Sequence, residues 1–342
     1  MLRIDGSKGE GGGQILRTAL ALSAVTGTPF QIDKIRAGRA RPGLMRQHAT
    51  AVRAAAEICG ARAEGAEPGS TALRFEPGSA RGGEYRFAVG TAGSATLVLQ
   101  TILPALLLAS NGSSLLLEGG THNPSAPPFD FLVRSFLPQL ARMGARVTAT
   151  LERPGFYPAG GGRFRVAVEP WTQRVPFTLL ERGVARMQTA EAIVAGLPSR
   201  IAERELAVVG QVLGWARRTM RATTLEDAYG PGNVVIVTLE SAEVTEVVTG
   251  FGERAVPAEQ VGENAAKEAA RYLAVDVPVG EHLADQLLLP MALAGGGAFR
   301  TLEPSSHTRT QAEILPLFLP VEVRMEAEGG DRWRVEVVRK AS

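Results

Sequence analysis

Apolar residues recur along this chain at spacings of three and four, in stretches that open and close on glycine, the pattern of helices with buried faces. The first runs from Gly11-Gly12-Gly13 through Gln14-Ile15-Leu16-Arg17-Thr18-Ala19-Leu20 to Gly27. A second runs from Gly90-Thr91-Ala92-Gly93 through Thr96-Leu97-Val98-Leu99-Gln100 to Gly112, and a third from Gly280 through Ala284-Asp285-Gln286-Leu287-Leu288-Leu289-Pro290 to Gly295. Each is followed by a stretch suited to a strand, Phe30 to Ile35, Ser114 to Leu117 and Ala298 to Leu302. Second helices follow over Pro42 to Ile58 and Pro128 to Met143, ending in Gly60-Ala61-Arg62 and Gly144-Ala145-Arg146. Thr308 to Leu315 is the third counterpart, with closing strands within Val321 to Val338. One unit is repeated three times.

The first helices start about 80 residues apart and then about 190 apart, so a domain's worth of extra chain precedes the third copy. That insertion falls between Pro170 and Tyr272. Within it Arg186 to Ala195 and Asn233 to Ser241 read as strands, and Ile201 to Trp215 and Glu259 to Tyr272 as helices. It is a small α/β module with no Gly-rich phosphate loop of its own.

Composition narrows the class. With 342 residues, 45% hydrophobic and 21% charged, the chain is an ordinary globular protein of about two domains. A formal charge of +2 excludes a global basic field, so any nucleic-acid surface is a local patch. A lone cysteine, Cys59, excludes an internal disulfide and a multi-cysteine zinc site, and suits a reducing, cytoplasmic setting. Nothing in Met1 to Gly6 reads as a signal peptide, and the most apolar run, Ala95 to Ala109, is shorter than the roughly 20 residues of a membrane span. It reads as a buried helix.

Three segments could carry chemistry. Gly9-Glu10-Gly11-Gly12-Gly13-Gln14 runs directly into a helix, where backbone N–H groups and glycine's close approach suit a phosphate, although neither the P-loop nor the dinucleotide spacing is present. A carboxylate there, Glu10, needs a cation or proton between itself and phosphate; its plain alternative is a solvated turn residue. Arg36-Ala37-Gly38-Arg39-Ala40-Arg41-Pro42 through Arg46-Gln47-His48 clusters guanidinium groups ahead of a helix, an anion site or equally a solvated face, with His48 on the polar side of that helix. Ser305-Ser306-His307-Thr308 places His307 at a helix start, with Thr308 and Gln311 as a capping-box-like pair. The helix dipole there favours the neutral imidazole, a nucleophile toward phosphorus; a mere capping role is the alternative.

These segments, with Asn123-Pro124-Ser125-Ala126-Pro127-Pro128, Gly155 to Gly162, Glu281 to Gly295 and Pro304 to His307, closely resemble the RNA 3′-terminal phosphate cyclase family over nearly the whole chain. The resemblance implies an α/β fold: a large domain of three repeated units, each two helices on a four-stranded sheet, with a small α/β domain inserted in the third. Residues 1–180 and 273–342 would form the large domain and 181–272 the insertion. It implies ATP-dependent conversion of RNA 3′-phosphate ends to 2′,3′-cyclic phosphate, by way of AMP on His307 and then on the RNA, releasing pyrophosphate and AMP.

By the same resemblance Glu10 holds a divalent cation, Mg or Mn, on the ATP phosphates. Gln14, Arg17, Arg39, Arg46, Pro128, His282, Asp285 and Gln286 belong to the nucleotide site, and Arg36, Arg41, Gln47 and His48 to the RNA end. His282 stands where an adenine-covering tyrosine is usual, and Ser306 where a cysteine often precedes the nucleophile. The implied partners are RNA ends and ATP, with no membrane and a cytoplasmic location; the oligomeric state stays open, a homodimer being one option. Two other readings compete: a non-catalytic scaffold relative, which lacks the histidine, and an enolpyruvyl-transferase-like enzyme, which would leave Pro304 to His307 without a role.

Overall fold

The computed structural model describes residues 1–340. Its first unit is β1 (Leu2–Asp5), α1 (Gln14–Thr26), β2 (Phe30–Asp33), α2 (Arg46–Cys59), β3 (Arg62–Glu64) and β4 (Leu73–Glu76). The second is β5 (Glu84–Ala88), α3 (Ala95–Leu107), β6 (Ser113–Gly119), a helix made of α4 (Phe129–Phe131), a π-turn (Leu132–Phe136) and α5 (Leu137–Arg142), then β7 (Val147–Arg153) and β8 (Gly162–Val168). The third opens with β9 (Phe177–Leu179) and is interrupted by β10 (Ala185–Ala195), α6 (Arg200–Leu213), β11 (Met220–Leu225), β12 (Gly232–Ser241), β13 (Thr245–Phe251) and α7 (Ala258–Ala274). It resumes with α8 (Glu281–Ala294), β14 (Gly297–Thr301), α9 (Ser306–Phe318), β15 (Val321–Gly329) and β16 (Arg332–Arg339).

The strand orders β1-β2-β4-β3, β5-β6-β8-β7 and β9-β14-β16-β15 are the same order three times. In each, the first pair is parallel and the other two antiparallel. A parallel pair needs a crossover, and α1, α3 and α8 are those crossovers. The intervening chain makes a fourth sheet of different order, β11-β10-β12-β13. Ala192, Val194, Leu206, Val235, Val237 and Ala266 form a core for it apart from the main one.

The main core is continuous through all three units because the crossover helices carry apolar residues on nearly every side; Leu16, Leu20, Leu99, Ile102, Leu287 and Leu288 are all essentially inaccessible. Helix α1 packs against α3 and α9, and α8 against α9, which brings the starts of α1, α8 and α9 together. Among the described residues no helix is long and apolar enough to cross a membrane.

Two boundaries differ from the sequence expectation for identifiable reasons. The helix expected from Pro42 starts only at Arg46, because residues 34–45 form a loop: Gly43 takes φ +83, and its N–H bonds the Ile35 carbonyl at 2.8 Å. The cap of α9 is Ser305, whose hydroxyl accepts the Thr308 N–H at 3.3 Å, so Thr308 lies inside the helix and the Thr308/Gln311 capping box does not form.

Candidate active site

The starts of α1, α8 and α9 open on one cavity of about 810 Å³, whose wall includes Glu10, Gln14, Arg17, Arg39, Asp285 and His307. The glycines before α1 are what let it form. Gly9, at φ +61, lies where any Cβ would fall 2.2 Å from the Thr310 hydroxyl, and that hydroxyl in turn accepts the Glu10 N–H at 3.0 Å. A Cβ on Gly13 would fall 2.2 Å from Nε2 of His48 and 2.8 Å from the Arg17 guanidinium. Close approach is therefore a steric requirement at both positions.

Glu10 is a wall residue and not a solvated turn residue, its side chain only 3% exposed. One oxygen accepts the Gln14 N–H at 2.9 Å and the other the Arg39 guanidinium at 2.7 Å. Burial works to raise its pKa, but those two donors, with His307 and Arg17 nearby, hold the carboxyl below its ordinary value, so it is ionised. The Arg39 side chain is half-exposed and lines the cavity.

Behind this pair runs a buried chain of hydrogen bonds linking three elements. Asp285 of α8 accepts from Nε2 of Gln14 at 3.0 Å and from Gln286 at 2.8 Å. Because the Gln14 amide nitrogen is committed to a carboxylate, its oxygen faces His307, where Nδ1 lies 2.5 Å away. An amide oxygen can only accept, so Nδ1 carries the proton and Nε2 keeps its lone pair on the open side. Burial lowers the His307 pKa, Glu10 opposes this, and Arg17 and Arg39 add to it; the net shift is downward and the imidazole is neutral. Burial pushes Asp285 up to about 7 against the pull of His282 and Arg17. Arg17 is lowered by burial, with Glu10 and Asp285 opposing.

The remaining sequence candidates divide. Gln47 lines the cavity and its side-chain oxygen accepts the Ser94 N–H at 2.9 Å, joining the first unit to the second. Pro128 and His282 also line it, His282 bonding Glu268 of α7 at 3.1 Å, which raises the imidazole to about 9. Arg36 also lines the cavity but is buried, donating to the carbonyls of Arg41 (2.7 Å) and Gly43 (2.9 Å), and thereby holds the loop before α2. His48 lines the cavity too, but not from a polar face: it is 3% exposed, accepts the Met45 N–H at 3.1 Å, and burial with Arg17 and Arg36 lowers it to about 3. Arg41 and Arg46 are exposed and stand outside the cavity wall.

A chain with this site also matches, over residues 8–325, the family model described as RNA 3′-terminal phosphate cyclase. It belongs to the RNA 3′-terminal phosphate cyclase family. Relatives bearing that name include one from Koribacter versatilis, 53% identical over 96% of this chain and 92% of the relative. Another, from Ralstonia nicotianae, is 54% identical over 96% and 94%, and one from Salmonella agona is 50% identical over 100% and 98%. Within this cyclase-family fold, sequence reasoning missed Thr18 and Thr310. Thr18 bonds Gln311 at 2.6 Å, whose amide in turn reaches the Asp285 carbonyl at 3.2 Å, fastening α1, α8 and α9 to one another. The signal was slight: polar residues at buried positions of otherwise apolar helices.

Proposed function

We propose that this chain uses ATP to convert RNA 3′-phosphate ends into 2′,3′-cyclic phosphates through AMP carried on His307. The observation that carries this reading is the Asp285–Gln14–His307 chain, which leaves one neutral imidazole nitrogen facing a cavity lined by guanidinium groups. Nε2 attacks the α-phosphorus of ATP, the new P–N bond forms, and the P–O bond to pyrophosphate breaks. The RNA 3′-phosphate then takes AMP from Nε2, which regains its lone pair. Last, the neighbouring 2′-OH attacks that activated phosphorus, giving up its proton to water as the new P–O bond forms, and AMP leaves with the pair of the P–O bond that breaks. AMP is needed because a phosphate dianion has no good leaving group of its own.

Charge builds on phosphoryl oxygens in every step, and Arg17, Arg36 and Arg39 are guanidinium groups on the wall, of which Arg17 and Arg39 are the ones not committed to bracing a loop. Pro128 and His282 would take the adenine, and Gln286 and Asp285 the polar nucleotide edge. No group of three or more His, Cys, Asp or Glu able to cage a metal exists among the described residues. A divalent cation that keeps its waters and phosphate oxygens needs only one protein carboxylate, and the ionised Glu10 fits that part once Arg39 turns to phosphate. Held by Glu10, such an ion would supply positive charge to neutralise the ATP phosphates. The same reading takes residues 1–180 and 273–342 as one domain, 341–342 lying outside the described residues, and 181–272 as an insertion.

The test uses end-labelled RNA with a 3′-phosphate, ATP and Mg or Mn. The expected product resists phosphatase and forms only when the 3′-phosphate and ATP are both present. Unchanged RNA under all these conditions rejects the reading.

A further inference from the structure

The inserted unit supplies none of the groups assigned above, yet it grips the start of α8 at three consecutive residues. Oε2 of Glu246, on β13, accepts the Gly280 N–H at 3.0 Å. Arg271 of α7 lies 3.3 Å from Glu281, and Glu268 of α7 lies 3.1 Å from His282. Of these contacts the first is buried: Glu246 is 2% exposed. The fit is tight as well, since a Cβ on Gly280 would fall 2.5 Å from the Glu246 carboxyl carbon. A carboxyl is an expensive group to bury for one hydrogen bond, and a plain core position would hold an apolar residue. Burial raises it to about 8 against the Gly280 N–H and His282, with Glu268 and Tyr272 also close by.

We propose that Glu246 is a positioning residue for the nucleotide site: by holding the Gly280 N–H it sets the start of α8, whose first two turns carry His282, Asp285 and Gln286 on the cavity wall. A tilt of those turns would displace Asp285, and with it the Gln14 amide that orients His307. Val247 and Thr249, the neighbours on β13, line the same cavity, so the strand and the helix start form one wall. This inference rests on reading the cavity as an ATP site.

The experiment is calorimetric titration of the full chain with an ATP analogue whose α,β-bridging oxygen is a methylene, so that binding is read without AMP transfer. Variants are Glu246→Ala, Glu246→Gln and, as a control, Glu205→Ala, which removes another buried carboxyl of the inserted unit, one bonded to Asn233 and not to α8. Glu246→Ala should weaken binding about tenfold, the effect of leaving one buried N–H unpaired. Glu246→Gln keeps an acceptor for that N–H and should restore binding to within about twofold. Glu205→Ala should lower the unfolding temperature and leave affinity unchanged. Should Glu246→Ala not fold, Glu246→Asp, one methylene shorter, must show the same weakening. Wild-type affinity in Glu246→Ala, equal weakening in Glu246→Gln, or an equal effect of Glu205→Ala overturns the proposal. A wild-type chain that binds no analogue overturns the ATP reading itself, and the proposal with it.

Discussion

Helices α1 and α3 hold equivalent places in two copies of one unit, both follow a glycine cluster, and both reach the cavity, but only α1 presents polar side chains to it from its first turn. Helix α3 is capped by its own Ser94, whose hydroxyl accepts the Leu97 N–H at 3.1 Å, and its first turn is Ala95, Thr96, Leu97 and Val98, all buried. Helix α1 has Gly13 as cap residue, with no side chain of its own, the Glu10 carboxylate accepting the Gln14 N–H instead, and its first turn presents Gln14 and Arg17 to the cavity. Helix α8 begins likewise at Gly280 and presents Asp285. A glycine cluster before a helix therefore marks a place where backbone can be approached; polar side chains in the first turns decide whether a ligand or the core approaches it.

The account makes α9 and α1 the working pair, so the largest effect belongs to His307→Ala, which should abolish AMP attachment and cyclisation while leaving the thermal unfolding midpoint unchanged. Gln14→Ala follows. Losing the acceptor that fixes the imidazole should slow AMP attachment about 5- to 150-fold, the rate equivalent of about 1–3 kcal/mol, with little change in cyclisation of RNA already carrying AMP. Single-turnover kinetics with the two substrates separates these outcomes.

Arg39→Ala should cost about 1–3 kcal/mol in handling of phosphate, whereas Arg41→Ala, outside the cavity wall, should stay within about twofold of wild type. Equal losses in the two would mean that the arginine cluster acts as a field and not through one contact. The pH profile of AMP attachment sharpens the role of Glu10. Protonation silences the nucleophile, so the acid limb lies below the ordinary imidazole value of 6.5. Because Glu10 supports the cationic imidazole, Glu10→Gln should move that limb further toward acid. A limb that moves toward neutral pH would remove the carboxylate from contact with His307. The smallest effect on chemistry belongs to Ser94→Ala, which should cost about 1 kcal/mol of stability through loss of the α3 cap and leave AMP attachment as it was.

The threefold repeat was legible because apolar periodicity and glycine boundaries are local signals. Strand β9 was not: it has three residues, and its partner β14 follows only after the whole inserted unit. The motif residues Glu10, Gln14, Asp285 and His307 were each visible, but their connection was not, since Gln14 meets Asp285 across 271 residues and His307 across 293. Charge clustering could not separate the arginines. Arg36, Arg39, Arg41 and Arg46 look alike in sequence, while burial makes the first a loop brace and Glu10 draws the second to the cavity. His48 misled for the same reason, as helical position alone cannot show that Gly13 packs directly on its ring.

The central claim is that His307 carries AMP on Nε2. Incubating the chain with α-labelled ATP and a divalent cation, then mapping the label by proteolysis and mass spectrometry, tests it most directly. The account predicts one labelled peptide containing His307, with a phosphorus–nitrogen bond cleaved by acid and stable to alkali. Label on Lys8 or Lys267, or label on any residue that survives acid, would contradict it.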